Sequence, residues 1–153
     1  MRTALFAGSF NPFTIGHKSI ADRTLATLAD RLIIGIGYNR DKHDPASLQE
    51  RMETIRSIYS NDPRVEVRTY SSLTVEFARE CGADFMVRGV RSVADFEYER
   101  SLADANLDLS GMETVLLLSL PQYSFISSSM VRELKAFGAD VSKYLPQNPK
   151  HTE

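Results

Sequence analysis

One cysteine, Cys81, is all the chain carries, so an intrachain disulfide and a cysteine-based metal cluster are both excluded. A charge excess of either sign is also lacking. Lys and Arg number 18 against 20 Asp and Glu, a formal net charge of −2, which removes the electrostatic case for nonspecific nucleic-acid or membrane-surface binding. No apolar run approaches the ~20 residues that cross a bilayer. The stretch MRTALFAGSF lacks the long apolar segment of a secretory signal. The expectation is a cytoplasmic protein with no membrane and no nucleic-acid partner. Internal repeats and low-complexity tracts are absent, and so are several familiar chemical signatures. There is no G-x-x-x-x-G-K-[ST] phosphate loop, no H-E-x-x-H helix, no paired carboxylates of a metal hydrolase and no G-x-S-x-G elbow. GIGYNR begins like a dinucleotide fingerprint at Gly35 and Gly37, but Arg40 stands where the third glycine belongs.

What remains is 153 residues with an ordinary apolar content, enough for one domain over 1–153 with its own core. Its polar, proline-broken tail, about 147–153, is expected to fray. TALFA, RLIIGIG, RVEVRTY, DFMVRG and ETVLLLSL read as strands. Between them lie helical patterns. Ile20, Ala21, Thr24, Leu25, Leu28 and Ala29 repeat at helical spacing, and Leu48, Met52, Ile55 and Ile58 or Tyr59 share a face of SLQERMETIRSIYS. LTVEFARECG is a short helix. SVADFEYERSLADANLDLSG is the longest, with Ser92 as cap, Asp95 in its first turn and Gly111 as stop. SSSMVRELKAFG is the last full helix, and VSKYL adds a turn. Strand and helix alternate about five times. That order predicts an α/β fold, a Rossmann-like doubly wound five-stranded parallel sheet with helices on both faces.

Doubly wound sheets bind ligands beyond the carboxyl ends of their strands. The chemistry-bearing residues of this chain lie after strands. GSFNPFTIGH follows the first, YNRDKHD the second, RGVR the fourth and SLPQYSFISSS the fifth. These four segments are expected to converge on one sheet edge, bringing Arg40, Lys42, His43, Arg88 and Arg91 into a strongly positive crevice. Arginine forks and lysine suit phosphate oxygens, and the helix starts at Gly16–His17 and at Ser127–Ser129 offer free N–H groups to an anion. The crevice asks for several phosphates.

GSFNPFTIGH resembles the first signature of the adenylyltransferases that carry an (H/T)-x-G-H motif, here Thr14, Ile15, Gly16 and His17. SFISSSMVRE resembles their second signature. RGVRSVADFEYE is similar to the run found in the bacterial phosphopantetheine adenylyltransferase family, and the resemblance runs in register from residue 3 to about Pro146. It implies a nucleotidyltransferase that moves AMP from ATP to 4′-phosphopantetheine, giving dephospho-coenzyme A and pyrophosphate, with Mg2+ accompanying the nucleotide and no side-chain metal cage. It further implies a homohexamer and restraint by coenzyme A.

Residue by residue, the resemblance places His17 on the α-phosphate as transition-state stabiliser; a turn histidine capping its own helix is the structural alternative. Ser9 would touch both nucleotide and acceptor, and Phe10 the nucleotide through its backbone, although as a bare residue it reads as core. Lys42 and Arg88 would grip the acceptor phosphate, with Thr74 a further acceptor contact. Gly89, Val90, Arg91 and Glu99 would contact ATP, and the segment Tyr123, Ser124, Phe125, Ile126, Ser127, Ser128, Ser129 would wrap it, with Ser128 and Ser129 on phosphates. Arg132 reads either as a phosphate contact or as half of a structural ion pair. Asn11 stands where the family usually has aspartate, so a carboxylate role there is lost. Nothing in the sequence accounts for His43. Two rivals stand beside this reading: a sibling that adenylates nicotinamide mononucleotide or makes a CDP-alcohol, and a non-catalytic nucleotide or coenzyme A sensor.

Overall fold

A computed structural model describes residues 1–147; most of the expected fraying tail lies outside the described residues. Five strands, β1 (Thr3–Gly8), β2 (Arg31–Gly37), β3 (Val65–Tyr70), β4 (Phe85–Val90) and β5 (Thr114–Leu118), pair in parallel in the order β3-β2-β1-β4-β5. The central strands are apolar throughout because both their faces are covered. On β1, Ala4 and Phe6 join one core with Leu32, Ile34 and Val87, while Leu5 and Ala7 join the other with Ile33 and Met86. Helices α1 (Ile15–Thr27) and α2 (Pro45–Ile58) seal the first layer through Ile20, Leu25 and Ile55. α3 (Thr74–Glu80) seals the second through Val75, Phe77 and Ala78, with α4 (Val93–Ser110) beside it against β4 and β5. α5 (Ser128–Ala136) packs Val131 against Ile126 and Val141 in a small third cluster. This is the doubly wound architecture that the element order predicts.

Helix ends follow local chemistry. Ser92 accepts the Asp95 N–H, and Gly111 closes α4 at φ 75°, a left-handed conformation that glycine adopts without strain. α2 begins two residues earlier than the periodicity suggests, because Asp44 caps Ala46 and Pro45 is set for a first helical turn. The Gly-Ile-Gly of β2 has a packing role. A Cβ on Gly35 would lie 2.7 Å from the Phe77 ring, and one on Gly37 would lie 3.1 Å from Tyr70.

The sheet order has one reversal. β2 and β3 are laid down on one side of β1, and the chain then crosses to place β4 on the other side. The loops after β1 and β4 therefore diverge, and the gap between them is where such sheets receive ligands.

Candidate active site

A cavity of about 360 Å3 opens at this reversal. Its walls come from the loop after β1, the end of β4, the first turns of α4 and the segment leading into α5. All four post-strand segments lie at one edge of the parallel sheet, as expected, and three of them line this cavity. From the segment after β2, Arg40, Lys42 and His43 line neither this cavity nor the one beside it. β2 lies on the far side of β1 from β4, and Lys42 on its loop is exposed. The His43 ring nitrogen Nδ1 lies 3.1 and 3.0 Å from the carbonyl oxygens of Asn39 and Arg40, which gives this histidine a place in holding the turn that carries Lys42.

The loop Ser9–Pro12 is held from outside by its carbonyls. Arg51 donates to the Ser9 oxygen at 2.6 Å, Arg132 to the Asn11 oxygen at 2.5 Å, and the Ser128 hydroxyl to the Pro12 oxygen at 2.8 Å. Phe10 takes φ 47° and buries its ring between Phe6 and Phe13, so a ligand meets its backbone and not its side chain. Arg132 therefore straps a loop carbonyl; it forms no ion pair among the described residues. The three serines divide the work. Ser127 caps α5 through Met130, Ser128 straps the loop, and Ser129 keeps only a 3.3 Å contact to Ser127. The start of α5, Ser127 to Ser129, lines the cavity, and a helix start of this kind offers an anion its free N–H groups and dipole.

His17 is both a cap and a cavity residue. Thr14 Oγ1 accepts the His17 N–H, and the Thr14 N–H donates to His17 Nδ1 at 2.9 Å, a reciprocal capping box. A backbone N–H can only donate, so Nδ1 is the acceptor and the ring proton sits on Nε2. Phe13 stacks on the ring at 5.5 Å and Phe10 meets its edge at 5.1 Å. Burial first, then Arg88 and Arg91, lower its pKa from 6.5 to about 4. The site thus presents a neutral imidazole with one fixed N–H donor. A 15N-observed titration of the ligand-free protein is expected to show Nε2–H above pH 5 and a midpoint near about 4; a midpoint at 6.5 contradicts this. The unfolded chain takes up this proton near 6.5 and the folded one near 4. Stability from this group is therefore complete above 6.5 and declines as the pH falls towards 4, by up to about 3 kcal/mol.

The arginines are less free than their number suggests. Arg88 is gripped by Glu99 through Nε at 2.8 Å and a terminal nitrogen at 2.7 Å, and it also donates to the Ala7 carbonyl. Burial opposes the Arg88 charge, the Glu99 carboxylate more than offsets this, and the net shift of its pKa is upward. Arg91 pairs with Asp95 at 3.3 Å. The expected strongly positive crevice is therefore corrected to a moderately positive one, because Asp95 and Glu99 neutralise Arg91 and the half-buried Arg88. Asp95 and Glu99 lie four residues apart on one face of α4, the only signal of this pairing in the sequence.

A second cavity, about 370 Å3, continues from the first and shares Ala7, Gly8, Arg88, Tyr98 and Glu99 with it. Its walls are mostly apolar: Leu73, Val75, Met86, Leu102 and Leu109, with Thr74 and Asn106 among them. Thr74 lies here and not with the nucleotide-side residues. Thr114, at the start of β5, also lines it, and its hydroxyl is buried with no partner among the described residues. Exchanging Thr114 for valine is expected to leave stability unchanged or raise it by up to about 1 kcal/mol, read from the urea midpoint, since no hydrogen bond is broken. A loss of that size would instead reveal a partner.

Of the other residues singled out in the sequence, Ser9, Phe10, His17, Arg88, Gly89, Arg91, Glu99, Tyr123, Ile126, Ser127, Ser128 and Ser129 line the first cavity. Val90 is buried behind it, and Ser124 and Phe125 lie outside it, with Phe125 60% exposed. Asp95, Tyr98 and Ser119 line it without having been singled out as site residues. No group of three or more His, Cys, Asp or Glu among the described residues could hold a metal ion.

A doubly wound sheet with an anion-accepting crevice at its reversal, and a T-x-G-H helix start within it, defines the nucleotidyltransferase class. The cytidylyltransferase-like family model matches residues 5–134. A phosphopantetheine adenylyltransferase of Porphyromonas gingivalis is 54% identical over 144 residues, 94% of each chain. One of Phocaeicola vulgatus is 49% identical over 150 residues, 98% of this chain and 99% of that one. A solved structure described as a nicotinate-nucleotide adenylyltransferase of Vibrio parahaemolyticus superposes with a TM-score of 0.64 at 16% identity, covering 96% of this chain and 95% of the other, a likeness of fold. The chain belongs to the phosphopantetheine adenylyltransferase family.

Proposed function

We propose that the protein transfers AMP from ATP to 4′-phosphopantetheine, forming dephospho-coenzyme A and pyrophosphate in coenzyme A synthesis. The observation that carries this reading is the meeting of the two cavities at Arg88. One side offers helix N-termini, Arg91 and the His17 Nε2–H to a nucleotide. The other is a mostly apolar trough that follows α4 from Tyr98 to Leu109, about 16 Å at 1.5 Å per residue, the length of an extended pantetheine arm. An acceptor lying there puts its phosphate at the shared wall. An oxygen of that phosphate attacks the α-phosphorus, the bond to the β-phosphate breaks, and pyrophosphate leaves with the electron pair. No proton need be removed from an ionised phosphate nucleophile, so the protein acts by positioning and charge stabilisation.

In this reading His17 donates from Nε2 to the α-phosphate, Arg91 and the α5 N–H groups hold the nucleotide phosphates, and Arg88 holds the acceptor phosphate, with Lys42 contributing its charge from the β2–α2 loop at the same sheet edge. Ser9, Phe10 and Gly89 contribute backbone at the junction. Val90, Glu99 and the segment Tyr123–Ser129 complete the nucleotide side, and Thr74 belongs to the acceptor side. Mg2+ would be held largely by the nucleotide phosphates, since this ion keeps several waters and binds mostly through phosphates, and it would supply charge neutralisation on the pyrophosphate side.

The protein works in the cytoplasm as a homohexamer. α4 leaves Val93, Phe96 and Leu107 at 78%, 43% and 41% exposed, more apolar surface than an isolated helix face usually keeps. Sedimentation should give a hexamer, and a monomer would contradict this. Coenzyme A, which shares both halves of the product, competes for the joined cavities. Acceptor-dependent release of pyrophosphate from ATP by the purified protein tests the reaction, and a folded protein that releases none overturns it.

A further inference from the structure

The residue beside Arg88 with the most constructed surroundings and no assigned role is Tyr70. It ends β3 at the ligand-binding edge of the sheet and lines the second cavity. Its ring stacks on Phe77 with centroids 4.3 Å apart and planes 5° from parallel. Space for that pair is made by Gly35 and Gly37 of β2, where added Cβ atoms would press on Phe77 and Tyr70. The glycine pattern that imitates a nucleotide fingerprint in the sequence is therefore explained by the seat of this tyrosine. Its hydroxyl is 3.0 Å from Thr74 Oγ1, and Thr74 lines the same cavity. Arg88 is close enough to act on the Tyr70 pKa, although burial dominates and the phenol stays protonated.

A ring needed only for packing would be served by phenylalanine. Here the hydroxyl is fixed at both ends, by stacking behind and by a second hydroxyl beside it, in the wall of a cavity whose other lining is mostly apolar. We propose that the Tyr70 hydroxyl, oriented by Thr74, is a specificity-determining contact to the acceptor, bonding a polar group at the phosphate-bearing end of its arm. Thr74 and Tyr70 act as one unit: each hydroxyl is donor and acceptor, so one accepts from its neighbour while the other donates onward. This rests on the proposed reaction, since it assigns the second cavity to the acceptor.

The test is Tyr70→Phe, which keeps the ring, the stacking and the fold. Wild type is first assayed with ATP and 4′-phosphopantetheine; no turnover there overturns the proposed reaction itself. With turnover established, Tyr70→Phe is expected to raise the acceptor KM, and its calorimetric Kd, by about 3- to 10-fold. The KM for ATP and the melting temperature should stay unchanged. Thr74→Val should give a similar rise, and the double variant less than the product of the two. An unchanged acceptor constant in Tyr70→Phe overturns the inference. So does a parallel loss for both substrates with a lowered melting temperature, which marks a structural role.

Discussion

Replacing His17 with glutamine lowers kcat by about 100- to 1,000-fold while the protein stays folded. The magnitude is that of losing one preorganised donor aimed at developing charge. Glutamine is the informative replacement because His17 is also the third residue of the α1 capping box, where a glutamine side chain can still accept the Thr14 N–H. Alanine would remove the cap and the donor together and confuse the two. What glutamine cannot supply is a rigid Nε2–H held by stacking on Phe13 and by the Thr14 N–H on the opposite ring nitrogen. The KM values for both substrates should move far less than kcat, because the donor acts most on charge that grows in the transition state. Equal turnover by wild type and variant removes His17 from the chemistry.

Arg88→Met abolishes measurable turnover and costs about 3 kcal/mol of stability. The stability loss comes from Glu99, whose side chain is 8% exposed and whose two oxygens both bond Arg88. A carboxylate stranded at that depth is expensive, whereas replacing both members of a buried pair is close to neutral. The double variant Arg88→Met with Glu99→Met therefore recovers most of the stability in urea unfolding but none of the activity. That split separates the structural work of the pair from the proposed grip of Arg88 on the acceptor phosphate. A single variant as stable as wild type would show that Glu99 does not depend on Arg88.

The same pair marks the boundary of what is legible in the sequence. Strands such as TALFA and RLIIGIG declare themselves because a parallel strand covered on both faces is apolar without interruption. Ser92 and Gly111 declare the ends of α4 by local chemistry, and the position of GSFNPFTIGH and RGVR after strands is enough to place them at the carboxyl edge of the sheet. Pairings across the fold are not legible in this way. That Asp95 and Glu99 neutralise Arg91 and Arg88, or that Ser128 and Arg132 hold the loop after β1, depends on how α4 and α5 are seated. The place of the reversal between β1 and β4 follows from the strand order, which alternation of strands and helices does not specify. Tyr70 is hidden for the same reason. Its role rests on a cavity wall built from β3, α3 and the glycines of β2.

The most direct test of the central claim offers the protein ATP, Mg2+ and equal amounts of 4′-phosphopantetheine and nicotinate mononucleotide in one mixture, and identifies the adenylylated products by mass. The joined cavities, one proposed for the nucleotide and one an apolar trough the length of a pantetheine arm, predict dephospho-coenzyme A alone, in step with pyrophosphate. An adenylylated nicotinate mononucleotide as the main product, or no adenylylated product from folded protein, would contradict it.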